Sequence, residues 1–288
     1  MKKQKNPNAI LLITCPDRKG IVAAISQFLY KMSGNIIHAD QHTDMETGIF
    51  FMRIEWELNG FKIKRNNIIK KMQPLFRRFN IGYQLFFTDE VPNIAVFVSK
   101  EDHCLSDLIS RKRNGEFKGE IKMIISNHME LKTTADIFSI PFYFFPIDDK
   151  NRIQQEKKEL FILQKANIDL IILAKYMRIL TKNFVKRYEN KIINIHHSFL
   201  PAFIGKRPYH QAYSRGVKLI GATSHYVTQN LDEGPIIEQD VVRISHRDTV
   251  ADIQRKGRDV EKVVLARAIR LHTENKILVY NNKTIIFD

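Results

Sequence analysis

QQEKKELFILQKANIDLIILA, residues 154 to 174, followed by KIINIHHSFLP, residues 191 to 201, is the stretch on which the fold turns. Gln154 to Ala166 reads as a helix, while Leu170 to Ala174 and Ile192 to Ile195 are apolar runs of strand length. Strands that are apolar throughout and alternate with helices belong to a parallel sheet covered on both faces. Upstream, Ile94 to Val98, Ile121 to Ser126 and Phe142 to Pro146 have the same character, and Leu105 to Arg111 is a further helical segment. The βαβα order predicts an α/β domain over residues 89–288 with a Rossmann-like, mainly parallel sheet. Such sheets bind ligands beyond the carboxyl ends of their strands, which directs attention to the segments after Ala174 and after Ile195.

Toward the N-terminus the order changes. Ala9 to Thr14 reads as a strand and Cys15 to Gly20 as a turn, after which Ile21, Ala24, Ile25, Phe28 and Leu29 recur at helical spacing. Asn35 to His42 and Gly48 to Leu58 read as strands joined by a polar connector, residues 43 to 47. A helix over about residues 67–79 carries Ile68, Ile69, Met72, Leu75 and Phe76 on one face, and Ile81 to Phe87 closes the unit. This is a ferredoxin-like βαββαβ domain over residues 1–88. The polar, proline-containing stretch Thr88 to Pro92 links it to the second domain. A loop that opens a helix at Gly20 aims free backbone N–H groups outward, where they can hold a carboxylate; alternatively, Gly20 only makes a tight turn.

Composition removes several function classes. The chain has 288 residues, 44% of them hydrophobic, which is ample for two cores. No run approaches the length of a membrane span, and the basic N-terminus reads as the approach to a strand, not as a signal peptide. Cys15 and Cys104 stand far apart without metal-ligand spacing, so a cytoplasmic protein with neither disulfide nor structural metal is expected. The net charge of +15 raises the question of nucleic acid, but the basic residues are dispersed, and the tightest cluster is only Arg111-Lys112-Arg113. Solvated basic faces, or attraction of an anionic substrate, account for the charge without a nucleic-acid partner.

Chemistry concentrates after Ile195. Strand alternation puts Asn194 and His196 on one side, a donor amide and an imidazole at a strand's carboxyl end. By the same alternation His197 should face away from His196, which argues against a shared metal ion. Farther on are His225 and the turn Leu231-Asp232-Glu233-Gly234-Pro235, which leads into a strand and holds Asp232 on a rigid loop. Singly, each residue could be structural: a histidine at a strand end, an aspartate in a turn.

Two resemblances add to this reading. CPDRKGIVAAISQFL with GNIIHADQHTD and GIFFMRIEW resembles an ACT domain, with Lys19 where proline is common. That implies a regulatory domain binding a small amino acid, methionine or glycine, near Asp17, Gly20 and Ile21, where two copies meet in a homo-oligomer. The second domain resembles the formyltransferase-type family, in which a catalytic Asn-x-His is followed 36 residues later by the aspartate of a Leu-Asp-x-Gly-Pro turn. Here Asp232 follows His196 by 36 residues, and His225 lies seven before Asp232. SKEDHCLSDL, ISNH, LAKYMRIL, HHSFLPAF, KRPYHQAY and LDEGPIIEQD extend the likeness to the formyltetrahydrofolate deformylase branch over nearly the entire chain, Ser106 replacing a usual glycine. This implies hydrolysis of 10-formyltetrahydrofolate to formate and tetrahydrofolate, in support of purine biosynthesis and one-carbon balance. It also implies folate contacts from Tyr176, Arg178, Ile179, Leu180, Val227 and Leu231, with no cofactor and no metal.

The residues suit that chemistry. Water attack on a formyl amide builds an oxyanion, which Asn194 and His196 can face as donors. Asp232 can favour the imidazolium of His196, orient the water or accept its proton, while His225 either holds Asp232 or is structural. Formyl transfer to glycinamide ribonucleotide is the alternative, and needs a phosphate cradle; Val98 to Cys104 carries Glu101 and Asp102 and no glycine. Transfer to methionyl-tRNA and a catalytically dead amino-acid sensor fit the residues less well.

Overall fold

A computed structural model describes residues 6–148, 150–201 and 208–288. Ala202 and Phe203 of HHSFLPAF, and Lys206 and Arg207 of KRPYHQAY, lie outside the described residues. The chain divides into two compact units.

The first unit contains β1 (Asn8–Pro16), α1 (Ile21–Lys31), β2 (Ile36–Asp44), β3 (Ile49–Glu57), α2 (Ile68–Phe79) and β4 (Gly82–Phe87), with an antiparallel sheet in the order β2-β3-β1-β4. Alternation decides which face is covered: Ala9, Leu11, Ile13 and Cys15 of β1 and Phe50, Met52, Ile54 and Trp56 of β3 point to one side. There they pack against Ile21, Ile25 and Leu29 of α1 and Ile68, Met72 and Phe76 of α2. The connector expected at 43–47 is shorter, because Thr43 and Asp44 pair with Phe50 and Ile49. The hairpin closes when Asp44 Oδ1 accepts from the Glu46 backbone at 2.9 Å. Asn275–Leu278 and Ile285–Asp288 also belong to this unit, where Arg53 Nε donates to the Asn275 carbonyl at 3.1 Å and Phe287 is buried. The second unit thus begins at Pro92 and loses part of the C-terminal tail expected in it.

The second unit carries β5 (Asn93–Val98), α3 (His103–Arg113), β6 (Glu120–Ser126), α4 (Lys132–Ile137), β7 (Phe142–Phe144), α5 (Arg152–Lys165), β8 (Leu170–Leu173), α6 (Lys182–Arg187), β9 (Ile192–His196), α7 (Pro208–Arg215), β10 (Leu219–Tyr226), β11 (Ile236–Arg243) and α8 (Val250–Thr273). The seven-stranded sheet runs β11-β10-β9-β8-β5-β6-β7. β5 to β9 are parallel, and β10 and β11 add antiparallel strands at one side. β11 is the strand expected after the Asp232 turn, whereas β10 and the 24-residue α8 extend the sequence reading. α8 starts at a capping box in which the Thr249 hydroxyl and the Asp252 carboxylate satisfy each other's backbone N–H groups. A hairpin of β12 (Ile277–Tyr280) and β13 (Lys283–Ile286) ends the chain.

Candidate active site

The strand order reverses between β8 and β5, so loops leaving their carboxyl ends diverge and open a crevice. Ser99, just past β5, ties the next loop down: its hydroxyl donates to Asn127 Oδ1 at 2.7 Å and accepts from the Met177 backbone at 3.1 Å. Tyr176 is thereby held edge-on to Phe97, ring centroids 5.3 Å apart. Arg178 Nη2 donates to the Ile147 carbonyl at 2.8 Å. Tyr176, Arg178, Ile179 and Leu180 together line an open cleft, of which Arg152 and Glu156 also form part of the wall. Val227 and Leu231 are not among the residues lining that cleft: Val227 packs against the core and Leu231 is exposed.

β9 delivers Asn194 and His196 on the same side, two residues apart on the strand. Its antiparallel pairing with β10 sets His225 opposite Asn194 and Thr223 opposite His196. His225 Nδ1 lies 2.9 Å from the Tyr226 carbonyl, which can only accept, so Nδ1 carries a proton. In the neutral ring Nε2 is then an acceptor, and Asn194 Nδ2 donates to it at 3.2 Å. One N–H of the Asn194 amide remains for a ligand.

Asp232 sits in the turn between β10 and β11 at φ 55°, a left-handed conformation that aspartate tolerates better than most residues. Gly234 makes this turn feasible: a Cβ there would stand 1.7 Å from the Tyr226 carbonyl oxygen. The turn places Asp232 Oδ2 3.3 Å from His196 Nδ1 and Oδ1 3.6 Å from His225 Nε2. Burial alone would raise the Asp232 carboxyl, but its contact with His196 outweighs burial and holds it well below the usual carboxylate range. The other imidazole nitrogen, His196 Nε2, is buried and has no hydrogen-bond partner among the described residues.

His197 does not face away from His196. β9 ends at His196, so strand alternation no longer applies, and the two rings stack with centroids 5.1 Å apart and planes 13° apart. Behind His197 lies a group the sequence reading missed: Lys175, Glu261, His103 and Tyr209. Lys175 Nζ is 3.3 Å from both His197 Nδ1 and Glu261 Oε2. Glu261 Oε2 also lies 2.8 Å from His103 Nε2, and the Tyr209 hydroxyl donates to Oε1. Gly257, one helical turn before Glu261, leaves room for that tyrosine, since a Cβ would come within 2.3 Å of its hydroxyl. Burial opposes the Glu261 charge, but His103, Lys175 and Tyr209 bring its carboxyl down to about 2. His103, Cys104 and Glu261 form the one grouping of metal-type side chains among the described residues. Lys175 already supplies the positive charge there, and burial keeps the Cys104 thiol protonated.

In the first unit, Asp17 and Gly20 are exposed, whereas the Ile21 side chain is in the core and offers only its backbone. Gly20, at φ 93°, precedes α1, whose start has no side-chain cap. Among the described residues no helix is long and apolar enough to cross a membrane.

Comparison with known proteins gives concordant matches. The formyl transferase family model matches residues 92–269, and the ACT domain model matches residues 9–55. A formyltetrahydrofolate deformylase of Synechocystis is 55% identical over 283 residues, covering 98% of this chain and 99% of the relative. That of Bacillus subtilis is 47% identical over 279 residues, covering 96% and 93%. The crystal structure of a formyltetrahydrofolate deformylase from Pseudomonas syringae superimposes with a TM-score of 0.96 at 42% identity, over 100% of this chain and 96% of that one.

Proposed function

This chain belongs to the formyltetrahydrofolate deformylase family, hydrolases that convert 10-formyltetrahydrofolate to formate and tetrahydrofolate, and we propose that here the reaction runs on Asn194, His196 and Asp232. The observation that carries this reading is the polarity of His196: one ring nitrogen lies against a carboxylate, and the other is buried without a partner among the described residues. A buried polar atom left unpaired is costly, and in an active site it is the atom that meets substrate.

The chemistry follows from the donors. With the formyl oxygen between Asn194 Nδ2 and His196 Nε2, both stabilise the oxyanion formed when water adds to the formyl carbon. Asp232 stays ionised, so it can take the proton from that water and favour the imidazolium of His196, which passes its proton to N10 as the carbon–nitrogen bond breaks. His225 orients the Asn194 amide. The cleft beside Tyr176, Arg178, Ile179 and Leu180 takes the pterin. No metal or cofactor enters the scheme. Formate released in this way supplies purine biosynthesis, and two lone buried cysteines fit a reducing cytoplasm.

The test is formate release from 10-formyltetrahydrofolate with and without glycinamide ribonucleotide. Equal rates are expected, and a strict requirement for the acceptor would overturn the hydrolytic reading.

A further inference from the structure

Two stacked imidazoles 5.1 Å apart in a buried site accept one proton far more readily than two, so their neighbours must decide which ring carries it. On one side, Asp232 lies 3.3 Å from His196. On the other, Lys175 Nζ lies 3.3 Å from His197 Nδ1. An ammonium only donates, so Nδ1 must present its lone pair, and His197 is the neutral tautomer protonated on Nε2. Lys175 is 4% exposed and Glu261 is 1% exposed by side chain, so each is the other's counter-charge in the interior. His103 and Tyr209 fix Glu261 from α3 and α7.

We propose that Lys175, backed by Glu261, is a positioning residue that keeps His197 neutral and thereby reserves the site's proton for His196. It rests on the reading of His196 as the group that becomes charged. The groups facing His197 are Lys175 from the loop after β8, Glu261 from α8, His196 from β9, Asp232 from the β10–β11 turn, and the Tyr209 ring at 5.9 Å from α7. Burial first and Lys175 second push His197 down to about 4, although Glu261 and Asp232 pull the other way. A neutral His197 is also a nearly parallel ring beside His196 that does not repel its charged form. The division of labour is one charged ring and one neutral ring, assigned by a carboxylate on one and an ammonium on the other.

Titration of the ¹⁵N-histidine-labelled full chain, without substrate, reads the assignment directly. His197 is expected to stay neutral with Nδ1 unprotonated from about pH 8 down to about pH 5. Finding His197 charged at neutral pH would overturn the proposal, with no variant needed. Lys175→Gln should let His197 take up a proton near neutrality and lower kcat by at least about tenfold, with KM little changed. If His197 is the competitor for the proton, adding His197→Gln to Lys175→Gln should bring kcat back to that of His197→Gln alone. Multiplying losses would refute the link between Lys175 and His196. Failure of the site reading looks different: His196→Asn would retain turnover while the wild-type His197 titration stayed as expected.

Discussion

Replacing Asp232 by Asn isolates the charge on which the proposed mechanism depends. Asparagine tolerates the left-handed backbone at φ 55° as well as aspartate does, so the turn and Gly234's approach to Tyr226 should survive. Its amide oxygen can still accept from His196 Nδ1, but it brings no charge and cannot take water's proton. For unit charges 3.3 Å apart, the interaction with a His196 imidazolium is about 5 kcal/mol at an effective dielectric of about 20 and about 1 kcal/mol in water. Asp232 is largely but not wholly withdrawn from solvent, which places the loss between these limits, at about 3 kcal/mol, or roughly a hundredfold in rate. The fall should sit in single-turnover formate release, with the Michaelis constant little changed, because the lost interaction is made with charge that develops in the transition state. A turn-forming role predicts the opposite pattern: lower melting temperature, weaker folate binding and largely intact chemistry. A single-turnover rate within about threefold of wild type would refute the catalytic assignment.

Glu159, on α5, is fully buried with no hydrogen-bond partner for either oxygen among the described residues, and burial first and Glu156 second push its carboxyl up to about 8. Because the folded value lies above the ordinary one, the folded state holds the proton, and Glu159 costs stability as pH rises from the ordinary carboxylate range through about 8. Thermal melts of Glu159→Gln should match wild type near pH 5 and exceed it by several degrees above pH 8; equal gains at both pH values would contradict this. Gly234→Ala must move the loop that holds Asp232, so chemical denaturation should show a loss of at least about 2 kcal/mol together with a drop in turnover. Sedimentation of the full chain is expected to show an oligomer, and added methionine or glycine to alter formate release; a monomer indifferent to both would reduce the first unit to a spacer.

The parallel strands were legible because β5 and β8 are short apolar runs, buried on both faces, that alternate with helical segments, as in a parallel sheet covered on both sides. β10 was harder to read. Its residues Gly221, Ala222, Thr223, Ser224 and His225 are small or polar, yet all are buried, because they line the strand beside the site and are satisfied there. Thr223 Oγ1 donates to the Ser198 carbonyl at 2.9 Å and accepts from the Leu200 backbone at 3.0 Å. Polarity, the usual mark of exposure, here marks a hydrogen-bonded interior. Likewise the C-terminal residues that join the first unit include buried apolar ones, Ile277, Leu278 and Phe287, but nothing local says which unit they join, and the backbone carbonyl of Asn275 that meets Arg53 has no sequence signature.

Asn194, His196 and Asp232 could be picked out because strand alternation and a turn motif each constrain a side chain locally, and the resemblance to the formyltransferase-type family then links the two. Glu261 had a signal of a different kind. On α8, Ile253, Gly257, Glu261, Val264, Leu265 and Ala268 recur at helical spacing and all are buried, so a lone carboxylate interrupts an apolar stripe. A charge in that place is tolerable only if the fold brings it a counter-charge, and the sequence contains many lysines without saying which one arrives. Lys175 was hidden for a complementary reason: it follows β8 directly, at the point where an apolar strand gives way to the substrate loop, and reads as ordinary solvated charge. Only the three-dimensional meeting of α8 with the end of β8 shows that both charges are interior, and that the Lys175 ammonium also meets the ring stacked on His196. A buried charge on an otherwise apolar helix face is therefore worth treating as half of a pair, and the missing half is best sought at the carboxyl ends of the central strands.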